Sequence, residues 1–358
     1  MKPYLNILIV FFPFFMNSCN EEKRSIYVLC DKGLKGDYEL RWEIYPEPEN
    51  TSINIFSSNN DSSFPTEPTA VVNSDDYIAV MNITDTTARQ FFKVKVRKNY
   101  SGIVSNRFFD FDSIQNFRDV GGYYTSNNRQ VRWGKLFRSG NLKRLTERDS
   151  AELQKLNIKT IIDMRAKDAS LEAVNPIHAD NYYRLPVGYS SFEIVATKIQ
   201  KNHFMRGDAM IYTQDLYKDI IENNTEELAQ FFDYLCDESN YPITYNCFFG
   251  KDQSGLVTYF LLRALDIPAE TIEEDYMASN KGIKKPRLMH GIDTLTEAGQ
   301  EALTLVSNTD VAYLRYALSC IRKKSGSVEE YMLNDLRLTP EKRQKLQDIL
   351  LYPDTAQM

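Results

Sequence analysis

Histidine is scarce in this chain: His178, His203 and His290 are the only three in 358 residues, and no two are spaced to share a metal ion. The five cysteines, Cys19, Cys30, Cys236, Cys247 and Cys320, include no CxxC pair, so neither a zinc site nor a disulfide framework is expected, and no cofactor is called for. Basic residues are outnumbered 43 to 49, a formal net charge of −6, and no basic stripe is present. Nucleic acid, which needs such a stripe to displace phosphate counterions, is therefore excluded as a partner. The apolar run at residues 7–16 falls short of the roughly 20 residues that span a bilayer. What remains is ordinary folded-protein composition, 42% apolar and 26% charged, at a length that suggests two domains.

The N-terminal segment pairs Met1-Lys2-Pro3 with that short apolar run and the break Asn17-Ser18-Cys19. This is the layout of a signal peptide, and because the break precedes a cysteine it resembles a bacterial lipoprotein signal. On that resemblance residues 1–18 are removed, Cys19 is lipidated, and the chain is exported and anchored to a membrane of the cell envelope. The alternative is an ordinary cleaved signal with an incidental cysteine.

From residue 25 to about 109 the apolar pattern has period two: Tyr38, Leu40, Trp42 and Ile44 alternate with Glu39, Arg41 and Glu43, and Phe92, Val94 and Val96 with Lys93 and Lys95. Turn-rich stretches separate these runs, which predicts a small antiparallel β-sandwich of immunoglobulin-like type over residues 19–110, serving as a spacer or protein-binding module. After about Asn116 helical periodicity alternates with short apolar strands, the signature of an α/β layer fold over residues 111–358. Thr146 with Asp149, and Ser327 with Glu330, have capping-box spacing; Thr160-Ile161-Ile162-Asp163-Met164 and Pro242-Ile243-Thr244-Tyr245 read as strands, and residues 212–236 and 311–351 as helical.

The chemistry is concentrated in Asn246-Cys247-Phe248-Phe249-Gly250-Lys251-Asp252-Gln253-Ser254-Gly255. A strand precedes it, and Val257, Phe260, Leu261 and Ala264 mark a helix after it. A loop that opens onto a helix start can turn successive N–H groups toward one anion. The same position can lower a thiol from about 8.5 to roughly 3.5–7.5, making it a nucleophile at neutral pH.

This loop resembles that of the cysteine-dependent tyrosine phosphatases, in the bacterial branch whose loop reads HCxxGKDRTG. Asn116-Phe117-Arg118-Asp119-Val120-Gly121-Gly122-Tyr123 is similar to that branch's NFRDLGGY block, and Ile161-Ile162-Asp163-Met164-Arg165 to its IIDLR strand. Residues 131–140, Glu274-Asp275-Tyr276-Met277 and residues 326–331 continue the likeness. The resemblance implies a central sheet flanked by helices and a phosphoric monoester hydrolase acting on phosphorylated protein or a small phosphate monoester. It implies Cys247 as nucleophile, Asp163 or Asp252 as general acid, and Phe248, Phe249, Gly250, Lys251, Gln253, Ser254 and Arg165 as phosphate-binding residues, with Arg165 and Arg138 facing the same pocket.

Two positions depart from the family pattern. Asn246 stands where the family has histidine, which helps to order the thiolate, and Gln253 stands where it has arginine. Arginine presents a planar, permanently charged fork to two phosphoryl oxygens, whereas glutamine offers one neutral NH₂. Three readings are open at this point: a phosphatase of weakened activity, a catalytically inactive pseudophosphatase that binds a phosphorylated or anionic ligand, or a scaffold whose β domain carries the function.

Overall fold

A computed structural model describes residues 24–33, 35–83, 88–142, 145–169, 179–285, 288–289 and 291–353. The signal segment and Cys19 lie outside the described residues. Among the described residues no helix is long and apolar enough to cross a membrane.

Among the described residues the first unit holds seven strands: β1 (Ser25–Lys32), β2 (Tyr38–Tyr45), β3 (Ser52–Ser58), β4 (Ala70–Asn73), β5 (Ile78–Met81), β6 (Phe91–Val96) and β7 (Asn99–Tyr100). They form two antiparallel sheets, β1-β2-β5 and β4-β3-β6-β7. The period-two pattern explains the arrangement. Tyr38, Leu40 and Trp42 from one sheet meet Ile53, Ile55, Phe92, Val94 and Val96 from the other in one core, while the charged residues between them point outward.

The second unit is built on a five-stranded sheet, order β11-β10-β12-β9-β8, from β8 (Arg118–Asp119), β9 (Leu136–Ser139), β10 (Thr160–Asp163), β11 (Asn181–Arg184) and β12 (Ile243–Asn246). All of its pairings are parallel except the edge pair β8/β9. Both faces of the sheet are covered, as parallel sheets require. Ile162, Ile243, Tyr245 and Leu136 enter a large core with α3 (Arg206–Asn223), α4 (Thr225–Leu235), α5 (Gln253–Ala264) and α6 (Ala269–Met277). Ile161 and Phe137, one residue out of phase, face a smaller core with α1 (Glu147–Gln154). The capping box read from Thr146 and Asp149 is formed at the start of that helix.

The C-terminal stretch expected to be helical is interrupted. After α7 (Ser279–Gly282), α8 (Glu297–Ser307) and α9 (Val311–Ser325), Gly326 turns at φ +83°; a short α10 (Val328–Glu330) follows, then a wide turn, and Arg337 at φ +53° breaks the chain again before α11 (Pro340–Leu350). Thr339 caps that last helix and Pro340 occupies its first turn, where the missing N–H costs nothing. Residues 212–236 are likewise two helices, broken at Asn224.

The two units meet at Arg89. Its guanidinium lies over Phe91, Phe109 and Trp133, donates to the carbonyl of Asn106, and pairs with the buried Asp119 at the edge of the second sheet.

Candidate active site

Asp163 on β10 lies opposite Asn246 on β12, and Asn246 lies opposite Ser139 on β9. Parallel strands deliver the residues just beyond their ends to one edge of the sheet. Gly140-Asn141, Met164-Arg165 and Cys247-Phe248 therefore leave three adjacent strands side by side.

The loop after β12 is held from outside by its carbonyls. Phe248 O accepts from the Asn141 amide at 2.9 Å, Phe249 O and Gly250 O from Asn116 Nδ2 at 3.1 and 2.9 Å, and Gly250 O and Lys251 O from Arg138 Nε and Nη2 at 2.8 and 3.3 Å. In a planar trans peptide each C=O is antiparallel to the next residue's N–H. Four outward carbonyls thus turn the amides of Phe249, Gly250, Lys251 and Asp252 the other way. The next amides, from Gln253 to Gly255, are the first of α5, where helix geometry supplies no acceptor. Asp252 sits at the N-cap without capping it. Gly250 is required for the path: at φ +70°, a Cβ would come 2.5 Å from the Ser139 carbonyl carbon.

Behind the loop lies a fully buried ionic frame. Arg118 and Arg138 share the carboxylate of Asp275, Arg138 Nη1 at 2.8 Å and Arg118 Nε at 3.2 Å. Burial alone would raise the pKa of Asp275, but the two guanidinium charges override it and hold the carboxyl far below the ordinary range. Arg138 does not face the pocket as the resemblance implied; it is consumed in holding Asp275, the loop carbonyls and Ser279.

Cys247 Sγ is 3.3 Å from the Ser254 hydroxyl; the Thr258 hydroxyl donates to the Ser254 carbonyl at 2.6 Å and lies 2.7 Å from the Tyr245 hydroxyl. The thiol has no exposed surface. A pocket is lined by Phe248, Phe249, Lys251, Asp252 and Gln253 of the loop, by Arg165, and by Phe192 and Tyr212; Cys247 itself does not line it. Phe192 begins α2 (Phe192–Gln200) and packs against Phe248 and Phe249 at 4.7 and 4.6 Å between ring centroids, so these rings both pack and wall the pocket.

The two candidate acids differ sharply. Asp163 is buried and accepts from Arg165 Nε and Nη2 at 2.9 and 2.7 Å, from the Tyr182 hydroxyl at 2.7 Å and from Asn246 Nδ2 at 3.4 Å. Burial pushes its pKa up; the bonds and charge of Arg165, with Arg184 and Tyr182, outweigh that and hold it below the usual carboxylate range. Asp252 instead lines the pocket and touches Lys251 Nζ at 2.6 Å. Gln253 donates its Nε2 to the Val187 carbonyl at 3.1 Å.

Residues 109–352 match the tyrosine phosphatase family. The chain belongs to that family. Among tyrosine phosphatase relatives, a Cupriavidus necator protein named for the tyrosine-protein phosphatases is 25% identical over 235 residues, 64% of this chain and 84% of that one. The triple specificity protein phosphatase PtpB of Mycobacterium tuberculosis is 25% identical over 272 residues, 66% of this chain and 96% of that one. The crystal structure of P. aeruginosa TpbA covers 55% of this chain and 97% of its own at 16% identity, with a TM-score of 0.28.

Within the tyrosine phosphatase unit, the residues named from sequence converge on one sheet edge, Arg138 apart. Sequence reasoning gave no role to Asn116, Asn141, Tyr182 or Tyr212. Asn116 stood in a quoted motif and could have been flagged there; the others carry no local signal, because their relevance depends on which strand end they neighbour.

Among the described residues no cluster of histidine, cysteine, aspartate and glutamate could hold a metal ion.

Proposed function

We propose that this chain hydrolyses phosphate monoesters, phosphotyrosine among them, through a phosphocysteine intermediate at Cys247. The observation that carries the reading is the loop's polarity: its carbonyls are bound outward by Asn141, Asn116 and Arg138, which aims its amides and the start of α5 at a common anion. Phe248, Phe249, Gly250, Lys251, Gln253 and Ser254 form the cradle.

In the first step the Cys247 thiolate attacks phosphorus; an S–P bond forms, the P–O bond to the leaving group breaks, and Asp252 gives its proton to the departing oxygen. In the second, Asp252 takes a proton from water, the water oxygen attacks phosphorus, and the S–P bond breaks to release phosphate and the thiolate. The Ser254 hydroxyl, 3.3 Å from the sulfur, is placed to stabilise the thiolate in both steps. Asp252 suits the acid role better than Asp163 on geometry, because Asp252 lines the pocket whereas the Asp163 carboxylate is engaged by Arg165 and the Tyr182 hydroxyl. Because the thiol is covered, substrate reaches it only by displacing the side chains above it.

The same proposal includes export as a lipoprotein through Cys19, and an immunoglobulin-like β domain that spaces the enzyme from the membrane or binds another protein. A phosphate-monoester assay on the mature chain tests the core of it. Turnover in the wild type and none in Cys247→Ser is expected; turnover that survives Cys247→Ser, or is missing from the wild type, contradicts it.

A further inference from the structure

Gln253 leaves the loop without a guanidinium, yet a guanidinium lies on the same pocket wall. Asp163 is opposite Asn246 in parallel register, so Arg165, two residues past β10, is brought level with the residues just past Asn246, where the loop begins. The Met164 amide donates to Asn246 O at 2.8 Å and fixes that register beyond the strand end. Arg165 is only 4% exposed but lines the pocket together with Lys251, Asp252 and Gln253.

Its orientation is built. Asp163 grips the Nε/Nη2 edge at 2.7–3.1 Å, and Asn141, whose amide also holds the loop carbonyl of Phe248, accepts from Nη1 at 3.3 Å. Asp163 is steadied in turn by the Tyr182 hydroxyl and by Asn246. Arg184 also lies against Asp163, at 3.8 Å.

We propose that Arg165 supplies the phosphoryl-gripping guanidinium that position 253 lacks, with Asp163 as its positioning residue. The inference rests on the phosphatase reading above. A planar fork entering from the neighbouring strand end meets the phosphoryl oxygens as a loop arginine would, because the requirement is geometric and electrostatic, not sequential. Asn246 fits this assignment: its amide reaches the carboxylate that orients Arg165.

The test compares kcat/KM for p-nitrophenyl phosphate, and protection of Cys247 from iodoacetamide by inorganic phosphate, in wild type, Arg165→Gln, Arg165→Lys and Arg165→Gln/Gln253→Arg. Arg165→Gln should lose about 10³-fold in kcat/KM, the lower end for arginines of this kind, and should lose the phosphate protection. Arg165→Lys, which keeps the charge but not the fork, should recover less than a tenth of the wild-type rate, and it carries the comparison if Arg165→Gln does not fold. The double variant should regain at least about tenfold over Arg165→Gln, a rescue that a purely structural role for Arg165 does not predict. An Arg165→Gln enzyme within threefold of wild type, beside an inactive Cys247→Ser, overturns this proposal and leaves the phosphatase reading intact. Wild-type protein that neither turns over nor is protected by phosphate overturns both.

Discussion

Arg138 donates from Nε to the carbonyl of Gly250 at 2.8 Å, deep behind the loop that carries Cys247. With the bond from Nη2 to the Lys251 carbonyl, it joins the loop to the buried frame, since Nη1 of the same guanidinium is held by Asp275. The loop's shape is thus maintained by charges that never meet solvent. Asp275→Asn should destabilise the protein by about 3–5 kcal/mol, because it leaves two buried guanidinium groups without their shared partner. Chemical denaturation monitored by circular dichroism measures this.

The same carboxylate sets the response to acid. Its folded pKa lies below the unfolded value of about 3.9. The stability it contributes is therefore fully present above pH about 4 and is lost as pH falls below that toward the folded pKa. Asp163, also depressed, adds to the loss in the same direction. The denaturation midpoint should fall steeply on acidification below pH 4 in the wild type, and more gently in Asp275→Asn, which has lost that linkage.

Leaving-group dependence separates the two candidate acids. Asp252→Asn should slow phenyl phosphate, whose leaving oxygen needs a proton, by roughly 10²–10⁴-fold, and p-nitrophenyl phosphate much less. Asp163→Asn should slow both substrates alike, as the positioning role proposed for Asp163 requires. A steeper leaving-group dependence in Asp163→Asn than in Asp252→Asn would reverse the assignment.

The junction between the two units predicts cooperative unfolding. Arg89→Ala strips the buried Asp119 of its guanidinium partner and empties the space among Phe91, Phe109 and Trp133. A cost of about 3–5 kcal/mol is expected for the unpaired buried charge, visible as a lower thermal midpoint by calorimetry.

Much of this architecture was legible in the residues themselves, and the reason is locality. Strand alternation from Tyr38 to Ile44, the Thr146 cap and the Cys247 loop are all specified within about ten consecutive positions. The departures came where distant segments decide. Arg138 reads as a pocket arginine until Asp275, 137 residues away, is seen to claim it. The Asp163–Arg165 pair is local, but its companion, the Tyr182 hydroxyl, comes from the neighbouring strand and carries no signal in the sequence near Asp163. The break at Arg337 depends on a positive φ, which arginine rarely adopts and which no periodicity signals.

The central claim is that the sulfur of Cys247 takes the phosphoryl group. Acid-quenching the enzyme during turnover of p-nitrophenyl phosphate and mapping the adduct by mass spectrometry tests it directly. The account predicts a phosphoryl group on the peptide that contains Cys247 and on no other. Turnover with that peptide unmodified, or with the phosphoryl group on another residue, would contradict it.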